Sequence, residues 1–221
     1  MSLHPAKKSD VGKSWMRPGR ETTFQMQLGH HLIVTEGAKT EPSYFNSLKK
    51  TIERNNRKDK LRIEGQGMHT VELMERAKQL VRRSGITYKH VWLVYDKDDF
   101  LAEEFNQVEK LCKDVTDDET EYHAIWSNQC VELWYLLHFG FYQTDIHRNE
   151  YFPKLSGQLQ KIGAGVYTKN RGDMFEVLLP YLDTAIANAE KLDEINKGRT
   201  PSDSAPGTQM FKMLKYFKFY L

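Results

Sequence analysis

Short apolar runs and helical stripes alternate along the first 140 residues. His31–Thr35 is an apolar run too short for a buried helix, and it reads as a strand. After it, Tyr44, Phe45, Leu48 and Ile52 recur at helical spacing, and Pro42 suits a first helical turn. LRIEG at 61–65 is a weaker strand, followed by the stripe Val71, Met74, Ala77, Leu80 and Val81, which Gly85 stops. HVWLVY at 90–95 is the most β-branched and aromatic stretch. A helix around 101–113 then turns Phe105, Val108, Leu111 and Cys112 inward. YHAIWS at 122–127 is a fourth strand, and CVELWYLLHF from 130 is another helix.

Four strand–helix alternations predict an α/β fold, a mostly parallel four-stranded sheet flanked by helices. Right-handed crossovers bring all four strand C-termini to one edge, where open sheets bind ligands. Beyond Phe141 the pattern is helical: MFEVLLPYLDTAIANAEKLDEI, broken near Pro180, then a loop at 200–207 and a final helix, MFKMLKYFKFYL. Lys212, Lys215 and Lys218 on that last helix read as side chains snorkelling from a docked element. The expected organisation is a flexible basic arm over 1–28, an α/β domain over 29–140, and a helical C-terminal region over 141–221 packed on it.

Composition narrows the class. With 39% hydrophobic and 28% charged residues in 221, the chain suits a soluble globular protein. No apolar run approaches the ~20 residues that span a bilayer, and the N-terminus lacks the apolar core of a secretory signal. Cys112 and Cys130 fall in separate elements and read as reduced thiols, which points to the cytoplasm. The net charge of +2 says little, but its distribution says more. Residues 1–20 carry five basic side chains against Asp10, and seven more lie from Lys49 to Arg62, whereas residues 96–121 hold eleven acids against three lysines. Each run taken alone reads as a solvated face; together they suit a polyanion drawn to a metal-loaded centre.

Carboxylates supply the candidate chemistry. Glu36 and Asp96 are read as the first residues past strands one and three, so both emerge on the ligand edge, with Asp98 and Asp99 close behind. Gly37 leaves room beside Glu36 for a close approach. Two like charges ~4 Å apart repel by about 4 kcal/mol at an effective dielectric of ~20, a cost that a divalent cation removes. All-oxygen ligation selects Mg²⁺ or Mn²⁺ over zinc, and such an ion polarises a phosphodiester and activates water. Glu132 reads equally as a further metal ligand or as a first-turn helix acid. Glu41, close behind strand one, reads as an acid suited to a helix N-terminus, with a supporting place behind the metal ligands as the alternative. Ser127 and Asn128 are candidates for phosphate contact, and Lys169 for neutralising charge that develops on phosphate. His30, His31, His69, His123 and His138 share no ligand spacing and read as core or strand-edge residues. Trp92, Trp126 and Trp134 read as packing.

The stretches LIVTEG and VYDKDD resemble the Toprim domain of topoisomerases, bacterial primases and OLD nucleases over residues 30–140. That resemblance implies that Glu36 is the Toprim glutamate and that Asp96 and Asp98 are its aspartate pair; Asp99 has no place in the minimal pattern. Four blocks, LIVTEGAKTEPSYFNSLK, VWLVYDKDDF, SNQCVELWYLLHF and YTKNRGDMF, together resemble the RloB family of bacterial defence-associated proteins. The implied function is a Mg²⁺-dependent nuclease acting on DNA or RNA in anti-phage abortive infection. Its metal would be held by Glu36, Asp96, Asp98, Asp99 and Glu132, and catalysis would fall to Glu36, Asp96, Asp98 and Lys169. The alternative is a latent binding subunit controlled by a partner ATPase. Oligomerisation is compatible with either; a membrane partner is not expected.

Overall fold

The computed structural model describes residues 29–55, 61–67, 70–98 and 100–221; the expected arm over 1–28 and the candidate Asp99 lie outside them. Among the described residues five strands form one sheet: β1 (His31–Thr35), β2 (Leu61–Gly65), β3 (His90–Asp96), β4 (Glu121–Asn128) and β5 (Gly207–Thr208), in the order β2-β1-β3-β4-β5. The first four are parallel, and β5 runs antiparallel to the end of β4. The sheet therefore has one strand more than the four expected, because two residues carry no periodicity. A side chain at Gly207 would place its Cβ 2.4 Å from the Ser204 carbonyl oxygen, so only glycine lets the two backbones approach there.

Among the described residues eight α-helices cover the sheet: α1 (Thr40–Asn55), α2 (Thr70–Ser84), α3 (Ala102–Val115), α4 (Glu132–Leu137), α5 (Tyr151–Lys161), α6 (Met174–Leu178), α7 (Leu182–Ile195) and α8 (Met210–Lys218). The break expected near Pro180 is a single 3₁₀ turn, Leu179–Tyr181, between α6 and α7. Helix α5 has no counterpart in the sequence reading, since Pro153 and Gly157 disguise it. Pro153 sits in the first turn, where its missing N–H is not needed, while Tyr151, Leu155 and Leu159 bury one stripe.

Strand alternation divides the core in two. Ile33, Trp92, Val94 and Ile125 face α1 and α4–α8, packing with Tyr44, Trp134 and Phe175. Leu32, Val34, Leu93, Tyr95 and Trp126 face α2 and α3, packing with Met74 and Phe105. The three expected tryptophans are buried. On α8, Lys215 pairs with Glu190, Lys218 with Asp183, and Lys212 lies beside the Phe211 ring. Among the described residues no helix is long and apolar enough to cross a membrane.

The strand order sets where a ligand goes. β2 lies on one side of β1 and β3 on the other, so the topological switch point opens beyond the carboxyl ends of β1 and β3. Glu36 and Asp96 stand at that crevice.

Candidate metal centre

Glu36 follows β1 directly. Its N–H donates to the Val94 carbonyl at 2.9 Å and its carbonyl accepts from the Gly67 N–H at 2.7 Å, which fixes the residue against β3. Its Oε2 accepts from the main-chain N–H of Asp96 at 3.1 Å. Asp96 is the last residue of β3 rather than the first beyond it. Alternation sends its side chain to the face of Trp92 and Val94, where Oδ2 accepts from the Val131 N–H, just before α4, at 3.1 Å. Asp96 Oδ1 is buried without a hydrogen-bond partner. Glu36 and Asp96 therefore meet through the Glu36 carboxylate and the Asp96 main-chain N–H.

Three more acids act on Asp96. Burial first, then the charges of Glu41, Glu132 and Asp98, push its carboxyl well above the usual carboxylate range, against the pull of the Val131 N–H. Glu41, in the first turn of α1 and 6% exposed, is pushed up chiefly by burial, with Glu132 and Asp98 adding and Lys169 opposing. Glu132 opens α4, is buried, and accepts from the Tyr167 hydroxyl at 2.7 Å. Burial and Glu132 together push the Tyr167 phenol up, so it remains a donor at neutral pH. Asp98 takes a left-handed backbone (φ 36°), which aspartate tolerates better than most residues. Its N–H donates to the Gln129 carbonyl at 3.1 Å, and its carboxylate pairs with Arg148. Lys169 lies over the Phe152 ring, 5.1 Å from its centre, close enough to favour the charge on Glu41.

Of the two readings of Glu41, a helix-end charge or an acid supporting the site, the structure favours the second by burying it among the acids. Its carboxylate folds back over Gly37, where a Cβ would fall 2.1 Å from Glu41 Oε2. Gly37→Ala is therefore expected to keep the fold, because the obstructing atom ends a flexible side chain, and to displace that carboxylate. A loss of Mg²⁺ affinity of roughly tenfold, the scale for disturbing a supporting group, is the expected calorimetric result.

Ser127 and Asn128, expected at phosphate, are placed otherwise. Ser127 Oγ bonds Thr208 Oγ1 at 3.0 Å, and Asn128 Nδ2 donates to the carbonyls of Pro201 and Ser202 at 3.1 and 2.9 Å. Both are buried, and their polar groups fasten β5 and the loop before it. The two cysteines are free and buried; burial pushes the Cys112 thiol up to about 12.

A different group lies at the opposite edge of the sheet. His90 Nδ1 is 2.9 Å from His123 Nε2 and 3.1 Å from Glu121 Oε2, and this triad is placed to hold a metal ion. Among the described residues it is the set whose three ligand atoms lie within 4.8 Å of one another; the acids at the carboxyl edge are spaced more widely. Reading histidines by spacing alone missed it, because the signal is the parallel register that pairs His90 with Glu121 and Trp92 with His123.

Residues 31–217 match the family model of RloB-like proteins, and the chain belongs to that family. No curated protein and no solved structure matches it.

Proposed function

We propose that this RloB-like protein is a Mg²⁺-dependent nuclease of the Toprim type, hydrolysing phosphodiester bonds of DNA or RNA in bacterial anti-phage defence. One observation carries the reading: the buried, unpartnered Oδ1 of Asp96 amid Glu41, Glu132 and Asp98 at the switch point. A buried carboxylate is ordinarily paired or bound to a metal, and an all-oxygen donor set suits Mg²⁺ or Mn²⁺. Asp96 would hold the ion together with Asp98 or Glu132, and water would complete its shell in place of a third carboxylate. When bound, the ion supplies Lewis-acid polarisation of the phosphate and a more acidic water. Glu36, oriented by the Asp96 N–H, takes the proton from the attacking water. Tyr167 steadies Glu132, while Lys169 and Arg148 draw phosphate to the acids.

The Arg148–Asp98 ion pair favours a second reading, a subunit held latent until a partner ATPase engages it, because the pair neutralises an acid the ion requires. The test is incubation of the full chain with mixed DNA and RNA and Mg²⁺ or Mn²⁺, alone and with the ATPase. Cleavage by the chain alone, stopped by EDTA, is the expected result. Cleavage only with the ATPase selects the latent subunit. Metal-independent cleavage, or none in either arm, overturns the nuclease.

A further inference from the structure

We infer that His90, Glu121 and His123 form a second metal site, for zinc or a similar borderline divalent ion, that ties the beginnings of β3 and β4 together. Two imidazoles and one carboxylate are the donor set of zinc rather than of magnesium. The separations fit that ion. Ligands at zinc-like bond lengths around a tetrahedral centre stand about 3.3 Å apart. Here the pairs are 2.9 Å (His90–His123), 3.1 Å (His90–Glu121) and 3.7 Å (His123–Glu121), values that bracket that spacing.

Hydrogen bonding alone serves this triad poorly. A single proton on His90 Nδ1 has two acceptors competing for it. A proton on His123 Nε2 instead leaves the His90 lone pair facing the Glu121 carboxylate. One cation accepts all three lone pairs at once.

The rings are also held in place. His123 stacks on Trp92 with centroids 4.1 Å apart and planes 17° from parallel, and His90 lies between His31 at 5.1 Å and the edge of Tyr216 at 4.9 Å. Register explains the meeting: His90 pairs with Glu121 across β3 and β4, and His123 lies two residues on, hence on the same face. Only Glu121, its side chain 54% exposed, has freedom to adjust. His123 also borders an open surface pocket with Glu109, Tyr122 and Lys212.

Titration of the full chain with Co²⁺ in excess Mg²⁺, followed by zinc displacement, tests the site. The expected result is the strong visible absorption of four-coordinate cobalt at one equivalent. Glu121→Gln, exposed enough to leave folding intact, and His123→Gln should each lower affinity at least tenfold, and Asp96→Asn should not. Absence of that absorption in the unaltered chain overturns the site, as does equal absorption in both variants or its loss only in Asp96→Asn.

Discussion

Asp96→Asn is expected to raise the melting temperature of the metal-free protein at pH 7. The Asp96 carboxyl is buried and crowded by Glu41, Glu132 and Asp98, which push it well above the usual range. For a group raised in this way, the folded chain holds its proton over a window where the unfolded chain has lost it. The stability it confers is full below the unfolded value of about 3.9 and is lost as pH rises through the folded value. At neutral pH, where the unfolded chain has lost this proton, the folded state carries the cost of either keeping it or burying a charge among like charges. The amide keeps an oxygen for the Val131 N–H that Oδ2 now accepts, and it removes that cost. The relief should be on the order of 1–3 kcal/mol, and each kcal/mol moves Tm by roughly 2–4 °C in a chain of this size. The gap between variant and parent should shrink toward pH 4. Saturating Mg²⁺ should reverse the order, since an ion at 100 times its Kd adds about 2.7 kcal/mol to the parent and little to the variant. Scanning calorimetry at pH 4 and 7, with and without Mg²⁺, measures all four quantities.

The other large effect is on turnover. Glu36→Gln and Asp98→Asn should each lower cleavage roughly 10²–10³-fold, the scale on which one oriented charged or polar group at a reacting centre contributes. The two should differ in kind. Glu36 is fixed to the Asp96 main chain, and in the proposed mechanism it serves the water, so its variant should retain Mg²⁺ affinity while losing kcat. Asp98 belongs to the acid group that acts on Asp96, so its variant should bind the ion more weakly as well. Replacing Asp98 also frees Arg148 from its carboxylate pair. Single-turnover rates beside calorimetric affinities separate the two roles. Equal loss of affinity in both variants would put Glu36 on the ion.

Much of this arrangement is legible from the chain because parallel topology is legible. Runs such as HLIVT and HVWLVYD are buried at every position, as strands covered on both faces are. Once β1 and β3 are identified, the edge carrying Glu36 and Asp96 follows from right-handed crossovers. What escaped depends on distance in sequence. Ser127 and Asn128 sit at the correct edge, yet partners more than 70 residues away, Thr208 and the Pro201–Ser202 carbonyls, claim their polar groups. Glu41 looks like an ordinary helix-start acid until Gly37 lets its carboxylate fold inward. The His90–Glu121–His123 group exists only through the register of β3 on β4, which spacing along one strand does not contain. Helix α5 was hidden by Pro153, a residue harmless in a first turn.

The most direct test of the central idea is to locate Mn²⁺ by its anomalous scattering in crystals of the full chain. An ion bridging Asp96 Oδ1 to Asp98 or Glu132, within about 2.0–2.3 Å of each oxygen, is the expected outcome. Manganese bound elsewhere, with Asp96 Oδ1 still unliganded at saturating metal, would contradict it.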